Sequence, residues 1–243
     1  MKILALEFSS PQRSVAVVCS VRRDELHESP SSPPNGFGTR GTDPSGVLVA
    51  EVIETSTGNT MKPLSMVATV LKQAGLEREE IEGLAIGLGP GSYTGIRVAI
   101  ALAQGWQLAR PVKLLGLSSV EGIAAQAQAD GFTGKASVLI DAQREEFYVA
   151  GYDVGIGECR EVFSLRLAKL SEVREWKNAG ETLIGPEVTR WFPDGRVIFP
   201  RAATLGRLAM TRGEFVPGEK LEPIYLRETV FVKAPPPRVL PAG

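Results

Sequence analysis

Two stretches of the chain repeat the same order of structural signals, and this repetition constrains the fold more than any other feature. Residues 2–53 contain three short apolar or β-branched runs, and residues 136–167 contain three more. Each group is followed by a mixture of helical and strand patterns. Successive strands of this kind form antiparallel meanders. The repeated order therefore predicts a duplicated α/β fold, in which two subdomains each hold a mixed sheet.

The division of the chain follows from these units. We expect an N-terminal subdomain over residues 1–117, a C-terminal subdomain over 118–232, and an extended Pro-rich tail over 233–243. Residues 24–46 are dense in Ser, Pro, Gly and charge. This composition predicts an exposed insertion within the first subdomain.

Helices and strands alternate after each predicted meander. A helix begins near Asn59 or Thr60 and ends at Ala74, with Gly75 placed to terminate it. The remaining predicted elements of the first unit are a strand at 84–88, a helix at 96–109, a strand at 113–117 and a helix at 119–128. In the second unit, strands are expected near 161–167 and 182–184, and helices near 170–176 and 203–212.

Composition excludes several classes of function. The chain has 243 residues, 27 Lys and Arg against 28 Asp and Glu, two cysteines and one histidine, His27. One histidine cannot supply the paired ligands of metallopeptidases. The net charge of −1 argues against a chain whose main task is to hold nucleic acid. The cysteine count and the lack of a long apolar segment predict a cytoplasmic protein without a membrane span.

A glycine-rich turn at residues 87–97, GLGPGSYTGIR, is the sharpest local motif. A strand that ends in such a turn and opens a helix can present backbone N–H groups to an anion. The turn lacks the lysine of a Walker A loop and the glycine spacing of a dinucleotide fingerprint. From the glycine spacing alone, a tight β-to-α connection with close packing is the favoured interpretation. If the turn is the remnant of a phosphate-binding loop, we expect the N-terminal segment to contribute to the same site. The candidate residues are then Glu7, Ser9, Ser10, Gly89, Gly91 and Ser92.

Two stripes of small residues run along the helix that follows this turn. One consists of Gly95, Ala99 and Ala103, and the other of Ala101, Gly105 and Ala109. Such stripes let two neighbouring elements approach closely, one of which can be the protein's own sheet and the other a partner. A two-helix layer within one domain is the alternative. The predicted partner interface consists of Met61, Leu64, Val67, Leu71, Gly95, Ala99 and Ala103.

Several segments together resemble the TsaB family, also called YeaZ. They are ILALEFSSPQRSVAVV, GLAIGLGPGSYTGIRVAIALAQGWQLARPVKLLGLSSVEGIA, VLIDAQREEFYVAGYD and EPIYLR. The resemblance implies the actin-like ATPase (ASKHA) fold and a role in making threonylcarbamoyladenosine at position 37 of tRNA. It also implies that the chain is the dimerisation partner of a homologous catalytic subunit, TsaD, which carries paired metal-binding histidines, while TsaE supplies a further ATPase.

These expectations describe a noncatalytic scaffold subunit without catalytic or metal-binding residues. No cofactor is expected beyond ATP or ADP with Mg at an interface with the catalytic partner. Contact with tRNA is expected to be indirect, through the complex, and a homodimer is possible. The family usually has Asp where Glu7 stands. The alternative function is an ATP-dependent phosphotransferase or ATPase of the same fold, with Glu7, Ser9 and Ser10 around the phosphates.

Overall fold

The computed structural model of the chain describes residues 1–20, 46–55 and 62–226. The expected tail at 233–243, residues 24–45 of the expected insertion, and Met61 lie outside the described residues. Within the described residues, no helix is both long and apolar enough to cross a membrane.

The first sheet has five strands in the order β3-β2-β1-β4-β5. Antiparallel pairing joins β1 to β2 and β2 to β3, whereas β4 and β5 are parallel to β1. The sheet is therefore mixed, as predicted. Its strands are β1 Lys2–Glu7, β2 Gln12–Ser20, β3 Gly46–Thr55, β4 Gly83–Gly87 and β5 Lys113–Leu117.

The second sheet repeats this topology. Its order is β10-β9-β6-β7-β8, with an antiparallel meander β6-β7-β8 and parallel strands on the other side of β6. Its strands are β6 Gly134–Asp141, β7 Glu146–Val154, β8 Cys159–Lys169, β9 Thr182–Gly185 and β10 Arg196–Val197. Matching strand order in the two sheets confirms the predicted duplication.

In the described part of the chain, five α-helices cover the two sheets. Side chains alternate along β1, so Leu4 and Leu6 face α1 and α2, whereas Ile3 and Ala5 face α5. On the second sheet, α3 covers one face and α4 the other. The helices are α1 Pro63–Ala74, α2 Tyr93–Ala109, α3 Ser119–Ala129, α4 Leu170–Asn178 and α5 Ala202–Thr211.

Helix α5 returns to the first sheet, although the predicted C-terminal subdomain, residues 118–232, includes it. Its buried face packs on β1 and β2, and the Ala202 amide donates a hydrogen bond to the Ser14 hydroxyl (2.8 Å). Further along the chain, the Val216 amide donates to the Leu114 carbonyl (2.8 Å). The C-terminal part of the chain therefore completes the core of the first subdomain.

Element ends agree with the sequence where a local signal is strong. Strand β5 has its predicted bounds, and α1 ends at Ala74 with Gly75 in the left-handed conformation. Helix α2 begins at Tyr93, three residues before the expected start. The reason is Ser92, whose hydroxyl accepts a hydrogen bond from the Gly95 amide (3.3 Å) and caps the helix.

Candidate functional site

The glycine-rich turn packs directly on the turn between β1 and β2. The Ser92 amide donates a hydrogen bond to the Ser9 carbonyl (2.7 Å). A Cβ atom at Gly91 would overlap that same carbonyl oxygen, and one at Gly95 would overlap the carbonyl oxygen of Phe8. These glycines are therefore explained by close backbone approach within the subdomain.

Glu7, the candidate carboxylate of a phosphate loop, is completely buried. Its carboxyl group accepts hydrogen bonds from the Ser9 amide (2.7 Å) and from the Ser119 hydroxyl (3.0 Å). Burial raises the pKa of the Glu7 carboxyl, and the hydrogen bonds from Ser9 and Ser119 oppose that rise. The side chain thus joins the end of β1 to the start of α3, away from solvent.

Gly89, another residue of the candidate phosphate loop, also bonds to Ser119 at the start of α3. Its amide donates to the Ser119 hydroxyl (3.2 Å), and the Ser119 amide donates to the Gly89 carbonyl (2.8 Å). The hydroxyl of Ser10 donates to the Gln12 carbonyl (2.7 Å). The polar groups of these residues are therefore used in contacts within the chain.

A cavity of about 390 Å³ separates the β1–β2 turn from the second sheet. Its lining includes Ser9, Ser10, Arg13, Ser92, Asp141 and Glu187. The Arg13 Nε atom is buried without a hydrogen-bond partner among the described residues, and the serine hydroxyls lie nearby. An oxyanion could contact this set.

The same cavity does not fit a metal-bound nucleotide. Asp141 already accepts a hydrogen bond from the Gln143 amide (2.7 Å) and pairs with Arg190 (3.6 Å). Glu7 points into the protein, so it cannot join Asp141 and Glu187 around an ion. Across the described ranges, no three His, Cys, Asp or Glu side chains are gathered as a metal site would require.

A larger cavity of about 1000 Å³ lies between α3, α5 and β8. Its charged groups include Glu121 and Arg212, which form an ion pair with each other. Burial raises the pKa of the Cys159 thiol to about 11. That thiol is therefore protonated at neutral pH and is a poor nucleophile.

Most residues of the predicted partner interface lie in the core. Gly95, Ala99 and Ala103 are buried against the first sheet, as are Val67 and Leu71 of α1. The prediction that Gly95, Ala99, Ala103 and Leu71 face a partner is therefore wrong, whereas Val67 is mostly buried but also lines the groove described next. The physical reason is the phase of α2, which turns the stripe at 95, 99 and 103 toward β1 and β4.

The second stripe of α2 faces solvent. Ala101, Gly105 and Ala109 are exposed, and with α1 they line a groove of about 650 Å³, which we call the α1–α2 groove. Among the predicted interface residues that the structure describes, Leu64 alone is exposed, and it lies in this groove with 68% of its surface accessible. Its other lining residues are Val67, Ala68, Arg78, Glu79, Leu102, Trp106 and Arg110.

The sequence did not predict which stripe of α2 is exposed, nor that Tyr93 and Arg97 belong to the exposed face. The interface prediction favoured the buried stripe. It omitted the exposed residues Tyr93 and Arg97, which lie about two turns and one turn before Ala101, respectively. The available signal was polarity, because Arg97 falls in the i, i+4 series of the exposed stripe and a charged side chain is rarely buried. The α1–α2 groove is the candidate functional site.

Sequence comparison matches the chain to proteins of tRNA threonylcarbamoyladenosine biosynthesis. Residues 59–219 match the family model described as TsaD: tRNA N6-adenosine threonylcarbamoyltransferase. The tRNA threonylcarbamoyladenosine biosynthesis protein TsaB of Escherichia coli K12 is 30% identical over 195 residues, which cover 73% of this chain and 84% of that protein. The Haemophilus influenzae protein of the same name is 25% identical over 202 residues, with coverage of 74% and 84%.

Solved structures agree with these relatives. A Pseudomonas aeruginosa crystal structure, described as an uncharacterized protein with similarity to peptidase YEAZ, superimposes with a TM-score of 0.70 at 25% identity and covers 93% of this chain and 99% of its own. YeaZ from Pseudomonas aeruginosa gives a TM-score of 0.71 at 24% identity with the same coverage, which supports the fold. The chain therefore belongs to the TsaB (YeaZ) family of tRNA threonylcarbamoyladenosine biosynthesis proteins, and its two sheets form the duplicated subdomains of the actin-like fold.

Proposed function

We propose that this chain is a noncatalytic scaffold subunit that supports N6-threonylcarbamoylation of adenosine 37 in tRNA. The catalytic subunit would be a homologous TsaD protein, and the α1–α2 groove would be the surface on which TsaD docks. The observation that carries this proposal is the exposed face of α2, where small residues lie beside the accessible apolar side chain of Leu64.

The groove is suited to helix–helix contact. Exposed Ala101, Gly105 and Ala109 leave the backbone of α2 open to close approach. No described residue lies within 4 Å of the position that a Cβ atom would take at Gly105. Leu64 and the half-buried Trp106 supply apolar surface beside this stripe. A partner helix laid between α1 and α2 would remove that surface from water.

A second copy of the chain would compete for the same face. Two-fold dimers use one surface patch on both subunits, so a homodimer through α1 and α2 and a complex with TsaD exclude each other. We propose the TsaD complex as the functional state, located in the cytoplasm, with TsaE joining as the additional ATPase. Contact with tRNA would then be made through the complex.

The noncatalytic role is supported by the chemistry of the polar groups. The sequence holds one histidine, so it cannot supply paired histidine ligands. The Glu7 carboxyl is buried between β1 and α3, and the Cys159 thiol has a raised pKa of about 11. The reacting groups would therefore belong to TsaD.

Mass measurement and reconstitution together test the proposal. Light scattering should give a 1:1 complex, or a multiple of it, when the chain is mixed with TsaD of the same organism. Threonylcarbamoylation of tRNA in vitro should require the chain, and a TsaD variant without its metal-binding histidines should abolish the reaction. Full activity in reactions that omit this chain would contradict the scaffold role.

The alternative function, an ATP-using enzyme of the same fold, has one observation in its favour. This is the unpartnered Arg13 Nε beside the hydroxyls of Ser9, Ser10 and Ser92. Isothermal titration of the isolated chain with Mg-ATP separates the two functions. The scaffold proposal predicts no turnover, whereas tight binding with hydrolysis would support the alternative.

A further inference from the structure

Two tyrosines and one arginine form a cluster at the N-terminal end of the exposed face of α2. Tyr93 and Arg97 precede Ala101, Gly105 and Ala109 at intervals of four residues, and all five are exposed. Residues four apart are neighbours on the surface of a helix. Arg97 therefore lies one turn before Ala101, which is the first residue of α2 in the lining of the α1–α2 groove.

The cluster is ordered by its own contacts. The rings of Tyr93 and Tyr225 stack with centroids 5.7 Å apart and an interplanar angle of 23°. The Cζ atom of Arg97 lies 4.2 Å from the centroid of the Tyr93 ring, and its Nε donates a hydrogen bond to the Tyr225 hydroxyl (3.4 Å). We call these three residues the tyrosine–arginine cluster.

Tyr225 reaches the cluster because the C-terminal segment is fixed along α2. The Gly218 amide donates to Oε1 of Gln107 (2.7 Å), and Nε2 of Gln104 donates to the Gly218 carbonyl (2.9 Å). Next to Tyr225, the Ile224 amide donates to the Leu88 carbonyl (2.9 Å). The segment therefore holds its tyrosine in place.

Arg97 keeps hydrogen-bonding capacity after these contacts. In the described part of the chain, none of the ion pairs involves Arg97. Its one hydrogen bond to a residue that the structure describes uses Nε, which leaves the two Nη atoms of the guanidinium group. By contrast, Arg110 at the far end of the groove pairs with Glu79 (3.7 Å). A guanidinium group held in this way is suited to bidentate contact with a carboxylate.

The chemistry of the neighbourhood favours a protein carboxylate over a nucleic-acid phosphate. The cluster adjoins an apolar groove, and Tyr93 also lines the cavity that contains Asp141 and Glu187. A run of phosphates needs several cations, and Asp141 in that cavity is already paired with Arg190, whereas one acidic side chain at the end of an apolar helix pair needs only one cation. The net charge of −1 points the same way.

We propose that Arg97, held by Tyr93 and Tyr225, binds a carboxylate of the protein that occupies the α1–α2 groove and so fixes the direction in which that protein docks. The occupant is a different chain with an acidic residue at the end of its docking helices. This inference rests on the proposed function, because it takes the TsaD subunit as that occupant. Arginine and tyrosine are also the residues that most often dominate interface energies.

The test compares dissociation constants for TsaD at several salt concentrations. Arg97→Gln should weaken binding about tenfold and reduce its salt dependence. Arg97→Lys should restore only part of the loss, because lysine keeps the charge without the planar fork. The matched control is Arg174→Gln, since Arg174 is exposed on α4 and takes part in none of the described ion pairs.

Additional variants distinguish a wrong role for Arg97 from a wrong docking surface. If Gly105→Trp weakens TsaD binding and Arg97→Gln behaves like Arg174→Gln, the inference is overturned while the groove stands. If Gly105→Trp also leaves binding unchanged, the proposed docking surface itself is wrong. A lower unfolding temperature for Arg97→Gln with normal TsaD binding would show that the tyrosine–arginine cluster stabilises the fold and does not bind the partner, which would also overturn the inference. Loss of tRNA binding with normal TsaD binding would assign Arg97 to phosphate contact and would also overturn the inference.

Discussion

The two faces of α2 carry the same kind of residue in opposite environments. Gly95, Ala99 and Ala103 lie against the first sheet without solvent contact, whereas Ala101 and Gly105 face solvent. On the buried face, small size is explained by the neighbours, since Gly95 meets the backbone of Phe8. On the exposed face, no part of the described chain explains it. Small residues alone therefore indicate close approach, and only the environment tells whether the approaching element is internal or external.

The largest expected difference between the faces comes from adding bulk. Ala103→Trp should destabilise the fold by about 3 kcal/mol or more, because Ala103 is 0% exposed and an indole has no room beneath α2. Ala101→Trp should change stability by less than about 0.5 kcal/mol, because Ala101 faces solvent. Urea unfolding of both variants measures the difference. Equal losses would show that the two faces are not distinct.

Adding one methyl group to each face gives a finer comparison. Gly95→Ala should cost about 2 kcal/mol, because the new Cβ atom would overlap the Phe8 carbonyl oxygen. Gly105→Ala should stabilise by about 0.5–1 kcal/mol, because alanine is the better helix former and no atom of residues 1–20, 46–55 or 62–226 lies within 4 Å of its Cβ position. The shift in urea midpoint should have opposite signs in the two variants. A shared sign would contradict the assignment of faces.

The buried carboxyl group of Glu7 should make the stability of the fold depend on pH, with a smaller effect than the substitutions in α2. The raised pKa of Glu7 means that the folded state retains its proton at pH values where the unfolded chain has lost it. Stability from this group is therefore complete below the unfolded pKa and decreases as pH rises through the folded pKa. Glu7→Gln has no such proton, so its stability relative to the wild type should increase from about pH 4.5 toward neutral pH.

Thermal unfolding at several pH values measures this effect, and Glu161→Gln provides a control on an exposed carboxylate. Parallel pH profiles for Glu7→Gln and the wild type would show that Glu7 ionises normally in the fold. That result would contradict the burial of the Glu7 carboxyl between β1 and α3.

Much of the fold was predictable because its signals are local. Strand β5 is an apolar run, and α1 ends at Gly75 in the left-handed conformation that glycine adopts readily. The family resemblance predicted the duplicated actin-like subdomains. The return of α5 to the first sheet was not predictable in the same way, because its packing on β1 and β2 is a contact between distant parts of the sequence.

The candidate site was predicted only in outline. A helical pattern gives the angle between two stripes of α2 but not which of them faces the sheet, and the buried stripe was selected. Residues flanking the stripes carried the missing information, since Ile96 and Ile100 lie on the buried side and Arg97 on the exposed side. Tyr225 joins Tyr93 and Arg97 only through the fold, because 128 residues separate it from Arg97.

The most direct test is the dissociation constant of the chain with TsaD for two matched variants. Ala101→Trp adds an indole to the exposed face of α2, and Ala129→Trp adds the same group to the exposed end of α3. We expect Ala101→Trp to weaken the complex by about 100-fold or more while its unfolding curve stays normal, and Ala129→Trp to bind like the wild type. Wild-type affinity for a folded Ala101→Trp variant would show that TsaD does not bind the exposed face of α2.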